Sequence, residues 1–239
     1  MADIDLTAAD GHTFTAYRAD PDGPPKGGVV VIQEIFGVNE HIRAVVDRYA
    51  AAGYLAIAPA LFDRVERGVE LAYDADGVTR GRDIAWAQPT LDPALADLTA
   101  TADALAAELG GAQRVGAVGF CYGGMLAAAL TSRAADHLAA AVAYYPSQAA
   151  QVLTEDHIDR PLLIHLGNED HGVTPADGDA LAERWPTAVI HRYDGAGHGF
   201  NCDLRAGFDA DASALAWERT LTFFGNQFGG QPVGGASHG

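Results

Sequence analysis

Cysteine and long apolar runs are scarce in this sequence of 239 residues. Its two cysteines, Cys121 and Cys202, are too few for a disulfide framework and too far apart for a zinc-knuckle spacing. No apolar window reaches the length of a membrane span, and the N-terminus lacks the basic and apolar regions of a secretory signal. These absences predict a cytoplasmic protein that does not enter a membrane and keeps its thiols reduced.

Basic residues are scarce too, since 15 lysines and arginines face 32 acidic residues and leave a formal net charge of -17. Lys26 is the single lysine. A chain this acidic is a poor partner for a nucleic-acid backbone or an anionic membrane surface. We therefore expect neither of these partners and predict a small-molecule ligand instead.

Apolar strand-like runs alternate with helical segments along most of the chain, which is 49% hydrophobic. The alternation predicts one α/β domain over residues 1–228, with a mainly parallel sheet and helices on both faces, and a flexible glycine-rich tail over 229–239. A long polar segment, 61–93, is expected to lie over a site. The predicted strands are 12–18 (an edge strand), 28–32, 54–58, 114–118, 138–145, 161–166 and 188–193. The predicted helices are 40–52, 93–109, 125–130, 175–185 and 213–228.

A glycine-flanked cysteine stands between one predicted strand and the helix that follows it, in Gly119-Phe120-Cys121-Tyr122-Gly123. This order is typical of a nucleophile elbow, in which a sharp turn exposes the nucleophile and the helix N-terminus favours a thiolate. The alternative is structural, because a small buried cysteine also suits a tight junction between a strand and a helix.

Two further residues follow predicted strands and complete a triad. Asp170 and His198 come after Cys121 in the chain order nucleophile, acid, histidine, which is the order of α/β-hydrolases. His198 would act as the base and Asp170 would orient its ring, with Glu169 as an alternative acid. The backbone N–H groups of Tyr122 and Ile35 are expected to form the oxyanion hole.

Several segments together resemble the dienelactone hydrolase (carboxymethylenebutenolidase) family. The resemblance implies an α/β-hydrolase fold, a triad of Cys121, Asp170 and His198, and no metal or organic cofactor. It also implies that Glu34 holds the resting thiol and accepts its proton, which requires a buried carboxylate. The segments are Gln33-Glu-Ile-Phe-Gly-Val-Asn39, Gly119-Phe-Cys-Tyr-Gly-Gly124, the 167–170 loop, Gly195-Ala-Gly-His-Gly-Phe200 and Leu215-Ala-Trp-Glu-Arg-Thr-Leu221.

The sequence departs from this family where the substrate is chosen. Well-known members bind the substrate carboxylate with two arginines, and the second lies four residues beyond the catalytic histidine. Cys202 stands at that position here, and Arg205 lies three residues further on. A serine that those members carry after the histidine is Gly199 in this chain.

The other predicted contacts with substrate lie before the elbow or close to strand ends. Arg80 and Arg82 compete for the position of the first family arginine, and Arg82 is favoured because Trp86 then stands where the family has an aromatic residue. Tyr144 is predicted to line the pocket together with Trp86. The alternatives are surface salt bridges for the arginines and core packing for the aromatic side chains.

The sequence thus predicts a cysteine-dependent hydrolase that opens a small dienelactone-like lactone, or cleaves an activated ester, through an acyl-thioester. A thiolate leaves readily, so substrates with a good oxygen leaving group are favoured over alkyl esters. The alternative is a non-catalytic small-molecule-binding or thiol redox-sensing protein, which would not require Asp170 and His198. A monomer or a small homo-oligomer is expected.

Overall fold

Five successive apolar runs become the fully buried strands at the centre of one eight-stranded sheet. The computed structural model describes residues 1–228. The strands are β1 (Ala2–Thr7), β2 (Thr13–Ala19), β3 (Gly28–Ile32), β4 (Leu55–Pro59), β5 (Val115–Phe120), β6 (Ala140–Tyr144), β7 (Leu162–Gly167) and β8 (Val189–Tyr193). Their order across the sheet is β1-β2-β4-β3-β5-β6-β7-β8, with β2 antiparallel to both of its neighbours and all other pairs parallel.

Helices cover both faces of the sheet, as predicted. One core layer includes Ile42 and Phe224, which lie on the first and the last helix of the chain. The opposite layer includes Leu98, Leu126 and Leu181. The helices are α1 (Glu40–Ala51), α2 (Ala75–Ala85), α3 (Asp92–Leu109), α4 (Tyr122–Arg133), α5 (Ala149–Val152), α6 (Pro175–Arg184) and α7 (Ala210–Gln227).

Local capping signals explain where the helices begin and end. The side chain of Asn39 accepts a hydrogen bond from the Ile42 N–H and so starts α1. Gly110, with φ of 80°, ends α3 in the left-handed conformation that glycine adopts at little cost. The leucines along one side of α3 are buried, namely Leu95, Leu98, Leu105 and Leu109.

The first strand was not predicted, and the prediction that residues 12–18 form an edge strand is wrong. β1 is the edge, and β2 lies between β1 and β4. Four of the six β1 residues, including Asp3 and Asp5, are exposed, and the remaining two, Ile4 and Leu6, are half-buried, so the strand has no apolar run to reveal it.

The segment between β4 and α3 crosses the carboxyl edge of the sheet and carries α2. A Cβ on Gly81 of α2 would overlap the carbonyl oxygen of Ile35, so the helix packs directly on the loop after β3. The segment therefore lies over the site, as predicted. None of the helices in residues 1–228 combines the length and apolar character needed to cross a bilayer. The predicted tail, 229–239, lies outside the described residues.

Candidate active site

Cys121 occupies a sharp turn between β5 and α4. Its backbone has φ of 56° and ψ of -115°, a strained conformation for a residue with a side chain. A Cβ on Gly119 would overlap the carbonyl oxygen of Gly123, and a Cβ on Gly123 would overlap that of Gln33. The two glycines are thus required for this turn, which presents the sulfur at the N-terminus of α4.

Asp170 and His198 meet at the same edge of the sheet, after β7 and β8. The His198 Nδ1 lies 2.8 Å from Asp170 Oδ2. The other carboxylate oxygen of Asp170 accepts hydrogen bonds from the backbone N–H groups of Gly172 (2.6 Å) and Val173 (2.9 Å), which fix the carboxylate. Glu169 is exposed, so the geometry selects Asp170 as the partner of the histidine.

The protonation state of His198 follows from its neighbours. Burial alone would lower its pKa, but hydrogen bonds with Asp170 and with Cys121 outweigh burial and raise the pKa to about 10. The contact with Asp170 therefore favours the charged form of the ring.

Ser147 contacts Cys121 and was not among the residues predicted from the sequence. Its Oγ lies 3.2 Å from the Cys121 Sγ, and its backbone N–H donates to the Cys121 carbonyl oxygen at 3.1 Å. The nearby residues Tyr145 and Gln148 have φ of 36° and 63°, so a strained turn holds the hydroxyl in place. The available signal was its position after a predicted strand, which the triad residues share.

Glu34 is fully buried in the loop after β3, but its hydrogen bonds do not reach the nucleophile. Tyr73 donates its hydroxyl proton to Oε2 at 3.0 Å, and Arg205 donates to Oε1 at 3.4 Å. This differs from the expectation that Glu34 holds the resting thiol. The Cys121 sulfur lies instead 3.2 Å from the Ser147 Oγ.

Arg205 reaches the site even though it lies seven residues beyond His198. Its guanidinium carbon lies 5.8 Å from the centre of the Phe36 ring and 5.5 Å from that of Tyr73, within the range of cation–π contacts. Gly199 makes room for it, because a Cβ there would lie 2.5 Å from Arg205 Nη1.

A cavity of about 430 Å³ opens above the nucleophile. The expected oxyanion-hole residues, Ile35 and Tyr122, both line it. Trp86 is 39% exposed and packs edge-on against the Tyr122 ring at 5.8 Å. Arg82 and Arg205 supply positive charge to the lining. The remaining lining residues are Phe36, Val78, Cys121, Ser147, Gln148, Gly172 and His198.

Two of the candidate substrate residues lie elsewhere. The prediction that Tyr144 lines the pocket is wrong, because its ring points into the core, where its hydroxyl lies 2.9 Å from Thr220 Oγ1. Its neighbour His165 is a buried core histidine, and its two ring nitrogens have partners. Arg80 forms a surface ion pair with Glu66, which leaves Arg82 as the arginine of this segment at the pocket.

The sequence and the fold of this chain match those of known proteins. A model of the Dienelactone hydrolase family matches residues 14–228. The chain belongs to the dienelactone hydrolase family. The Pseudomonas putida carboxymethylenebutenolidase is 31% identical over 224 residues, which cover 92% of this chain and 94% of that protein. A Synechocystis protein provisionally named carboxymethylenebutenolidase is 39% identical over 209 residues, or 82% of this chain and 84% of its own.

A solved structure gives the same assignment. The Klebsiella pneumoniae protein, provisionally described as a dienelactone hydrolase, is 31% identical and superposes with a TM-score of 0.76 over 94% of this chain and 99% of its own. Membership of the dienelactone hydrolase family confirms the predicted α/β-hydrolase fold with a single domain. It also confirms the predicted class of reaction, hydrolysis of a small-molecule ester or lactone.

Proposed function

We propose that this dienelactone hydrolase family member uses Cys121 as the nucleophile that opens a small anionic lactone or cleaves an activated ester. The observation that carries the proposal is the pairing of a buried Asp170–His198 couple with the Cys121 sulfur at the floor of an arginine-lined cavity. A redox sensor would need the thiol alone. A thiolate nucleophile works only when reduced, so we place the enzyme in the cytoplasm.

Acylation begins with the thiolate. The Cys121 sulfur attacks the carbonyl carbon, and the developing oxyanion points to the N–H groups of Ile35 and Tyr122. When the intermediate collapses, the C–O bond of the ring breaks and the electron pair goes to the leaving oxygen. The His198 imidazolium gives this oxygen its proton, which leaves an acyl-thioester and a neutral imidazole.

Deacylation reverses the roles. With the thiolate consumed, His198 loses the anion that favoured its charged form, so the neutral ring can accept a proton from water. The water oxygen attacks the thioester carbon, the C–S bond breaks, and the thiolate forms again beside the imidazolium. Enol-lactones, aryl esters and thioesters suit this cycle because their leaving groups compete well with the thiolate.

The cavity lining supports an anionic substrate with a flat apolar body. Arg82 and Arg205 offer guanidinium groups that match a carboxylate, while Phe36, Val78 and Trp86 offer apolar surface. A dienelactone carboxylate fits this description, as do other small cyclic or activated esters that carry an acid group.

The test is the hydrolysis of p-nitrophenyl acetate and of a dienelactone by the wild type and by Cys121→Ala and His198→Ala. We expect both variants to lose at least about 1,000-fold in kcat/KM, since removal of a triad member leaves only the oxyanion hole and binding. His157→Ala, at an exposed histidine far from the triad in the chain, serves as the control. Equal rates in all four proteins would end the triad proposal. If both variants lose activity on the aryl ester while the wild type does not hydrolyse the dienelactone, the triad mechanism stands and the dienelactone is not the substrate.

A further inference from the structure

A second group of ligand-type side chains lies between the start of α1 and the turn that follows the catalytic histidine. It consists of His41, Cys202 and Asp203, and one nitrogen, sulfur or oxygen atom from each lies within 4.8 Å of the others. His41 and Cys202 are buried, and Asp203 is exposed. The hydrolytic cycle uses none of these side chains.

The His41 ring is completely buried, but its hydrogen bonding is incomplete. Its Nδ1 faces Asp203 Oδ1 at 3.4 Å, and its Nε2 has no hydrogen-bond partner within residues 1–228. Nδ1 is therefore the ring nitrogen that can bind an ion together with Asp203.

We propose that His41, Cys202 and Asp203 form a binding site for a divalent transition-metal ion of the zinc class. A thiolate, an imidazole and a carboxylate are ligands that zinc accepts together, whereas magnesium and calcium avoid sulfur. With Zn–S of about 2.3 Å and Zn–N of about 2.0 Å, ligand atoms of a tetrahedral site lie about 3.5 Å apart. The His41–Asp203 separation of 3.4 Å already matches this spacing.

Small movements bring the Cys202 sulfur to the same spacing from the other two ligand atoms. Since no ligand atom lies more than 4.8 Å from another, a shift of about 1 Å brings Cys202 into place, and the exposed Asp203 side chain is free to adjust. The same exposure, 61% for the Asp203 side chain, leaves the fourth position open to water and gives an ion access from solvent.

Charges of both signs surround the site. The exposed Asp203 is itself a ligand, and the buried Glu34 is close enough to act on both His41 and Cys202. Arg48 acts on His41 and Arg205 acts on Cys202 with the opposite sign, and Arg205 is hydrogen-bonded to Glu34.

The test is a titration of the metal-free, reduced, full-length protein with Co²⁺, which gives a thiolate-to-cobalt charge-transfer band and intense visible bands in a tetrahedral site. The chain has two cysteines, so two variants locate the sulfur ligand. We expect one equivalent of Co²⁺, displaced by Zn²⁺, in the wild type and in Cys121→Ser. Cys202→Ser should lose the charge-transfer band.

The other ligands are tested by affinity. His41→Ala and Asp203→Asn should each weaken Co²⁺ binding at least tenfold, and Asp203→Asn decides the question if the buried His41 variant does not fold, because Asp203 is exposed. Absence of saturable binding in the wild type would overturn the proposal. So would unchanged affinity in Asp203→Asn, or a band that disappears in Cys121→Ser and persists in Cys202→Ser, which would assign the metal to the catalytic thiol instead. These readouts do not depend on hydrolytic activity.

Discussion

The guanidinium group of Arg205 occupies the space that a side chain on Gly199 would need, since a Cβ there would lie 2.5 Å from Nη1. The two departures from the family pattern, at Gly199 and at Cys202, therefore have one structural cause. The chain lacks the expected arginine at Cys202, and Arg205 enters the pocket from further along the turn because residue 199 is a glycine.

Gly199→Ala should therefore act as a pocket mutation. The added methyl group displaces Arg205, so kcat/KM for a carboxylate-bearing lactone should fall about 10–100-fold, the value of a hydrogen bond to a charged group. The rate with neutral p-nitrophenyl acetate should change less than about threefold. Arg205→Met should reproduce this selectivity if the guanidinium contacts the substrate.

Gly195→Ala is the matched control for that variant. Gly195 has φ of 76°, close to the 78° of Gly199, but a Cβ at Gly195 meets nothing within 4 Å. Both alanines carry the same backbone strain, so only displacement of Arg205 separates them. An equal loss on the charged substrate in the two variants would contradict this account.

Ser147→Ala should slow the chemistry of the nucleophile without changing the fold. Its hydroxyl is positioned 3.2 Å from the Cys121 sulfur and can donate to the thiolate. We expect the acylation rate constant to fall about tenfold, with KM little changed. Ser147→Thr keeps the hydroxyl and should restore most of the rate.

A second measurement distinguishes an effect of the Ser147 hydroxyl on the Cys121 sulfur from an effect of Ser147 on packing. The profile of Cys121 alkylation by iodoacetamide against time should become slower in Ser147→Ala and return toward that of the wild type in Ser147→Thr. A loss of activity with an unchanged alkylation profile would mean that the hydroxyl does not act on the sulfur.

His198 should titrate far above an ordinary histidine. Its pKa is raised to about 10, so the ring should stay protonated through neutral pH and lose its proton only near that value. Nitrogen-15 NMR of the imidazole, assigned with His198→Gln, measures this directly. Cys121→Ala and Asp170→Asn each remove a hydrogen bond that favours the imidazolium, so the midpoint should fall in both variants. A midpoint near 6.5 in the wild type would contradict the proposed ion pair.

The convergence of Cys121, Asp170 and His198 could be predicted from the sequence because each lies in the loop that follows a strand, and parallel strands bring these loops to one edge of the sheet. Gly119 and Gly123 also indicated the sharp backbone turn at Cys121. Ser147 follows β6 in the same way, but a serine after a strand has no spacing that distinguishes it from an ordinary turn residue.

Side-chain direction inside a fully buried strand could not be predicted. β6 is apolar on both faces, so no alternation shows whether Tyr144 points to the pocket or to the core, and the structure places it in the core. The partners of Glu34 depend on Tyr73 and Arg205, which are 39 and 171 residues away and come together only in the folded chain.

Arg64 stabilises the fold through a buried ion pair with Asp97. It binds Asp97 with two hydrogen bonds, of 2.8 Å and 2.7 Å, and the Asp97 side chain is completely buried. Arg80 offers a contrast in the same segment, since it pairs with Glu66 at the surface and both side chains are about half exposed.

Arg64→Leu should reduce the free energy of unfolding by about 3–5 kcal/mol, because it removes both hydrogen bonds to the buried Asp97 carboxylate and leaves only His12, 4.0 Å away, beside it. Arg80→Leu should cost less than about 1 kcal/mol. Urea denaturation measures both differences, provided that the dependence of the free energy of unfolding on urea concentration is the same in the variants and the wild type.

Burial raises the pKa of Asp97 even beside Arg64, and removal of the arginine raises it further, so the carboxyl can take up a proton in the folded variant. The deficit of Arg64→Leu should therefore shrink as the pH falls toward about 4, where a protonated Asp97 no longer needs a partner charge. A deficit that grows at low pH, or one equal to that of Arg80→Leu at neutral pH, would show that the buried pair does not hold this part of the fold.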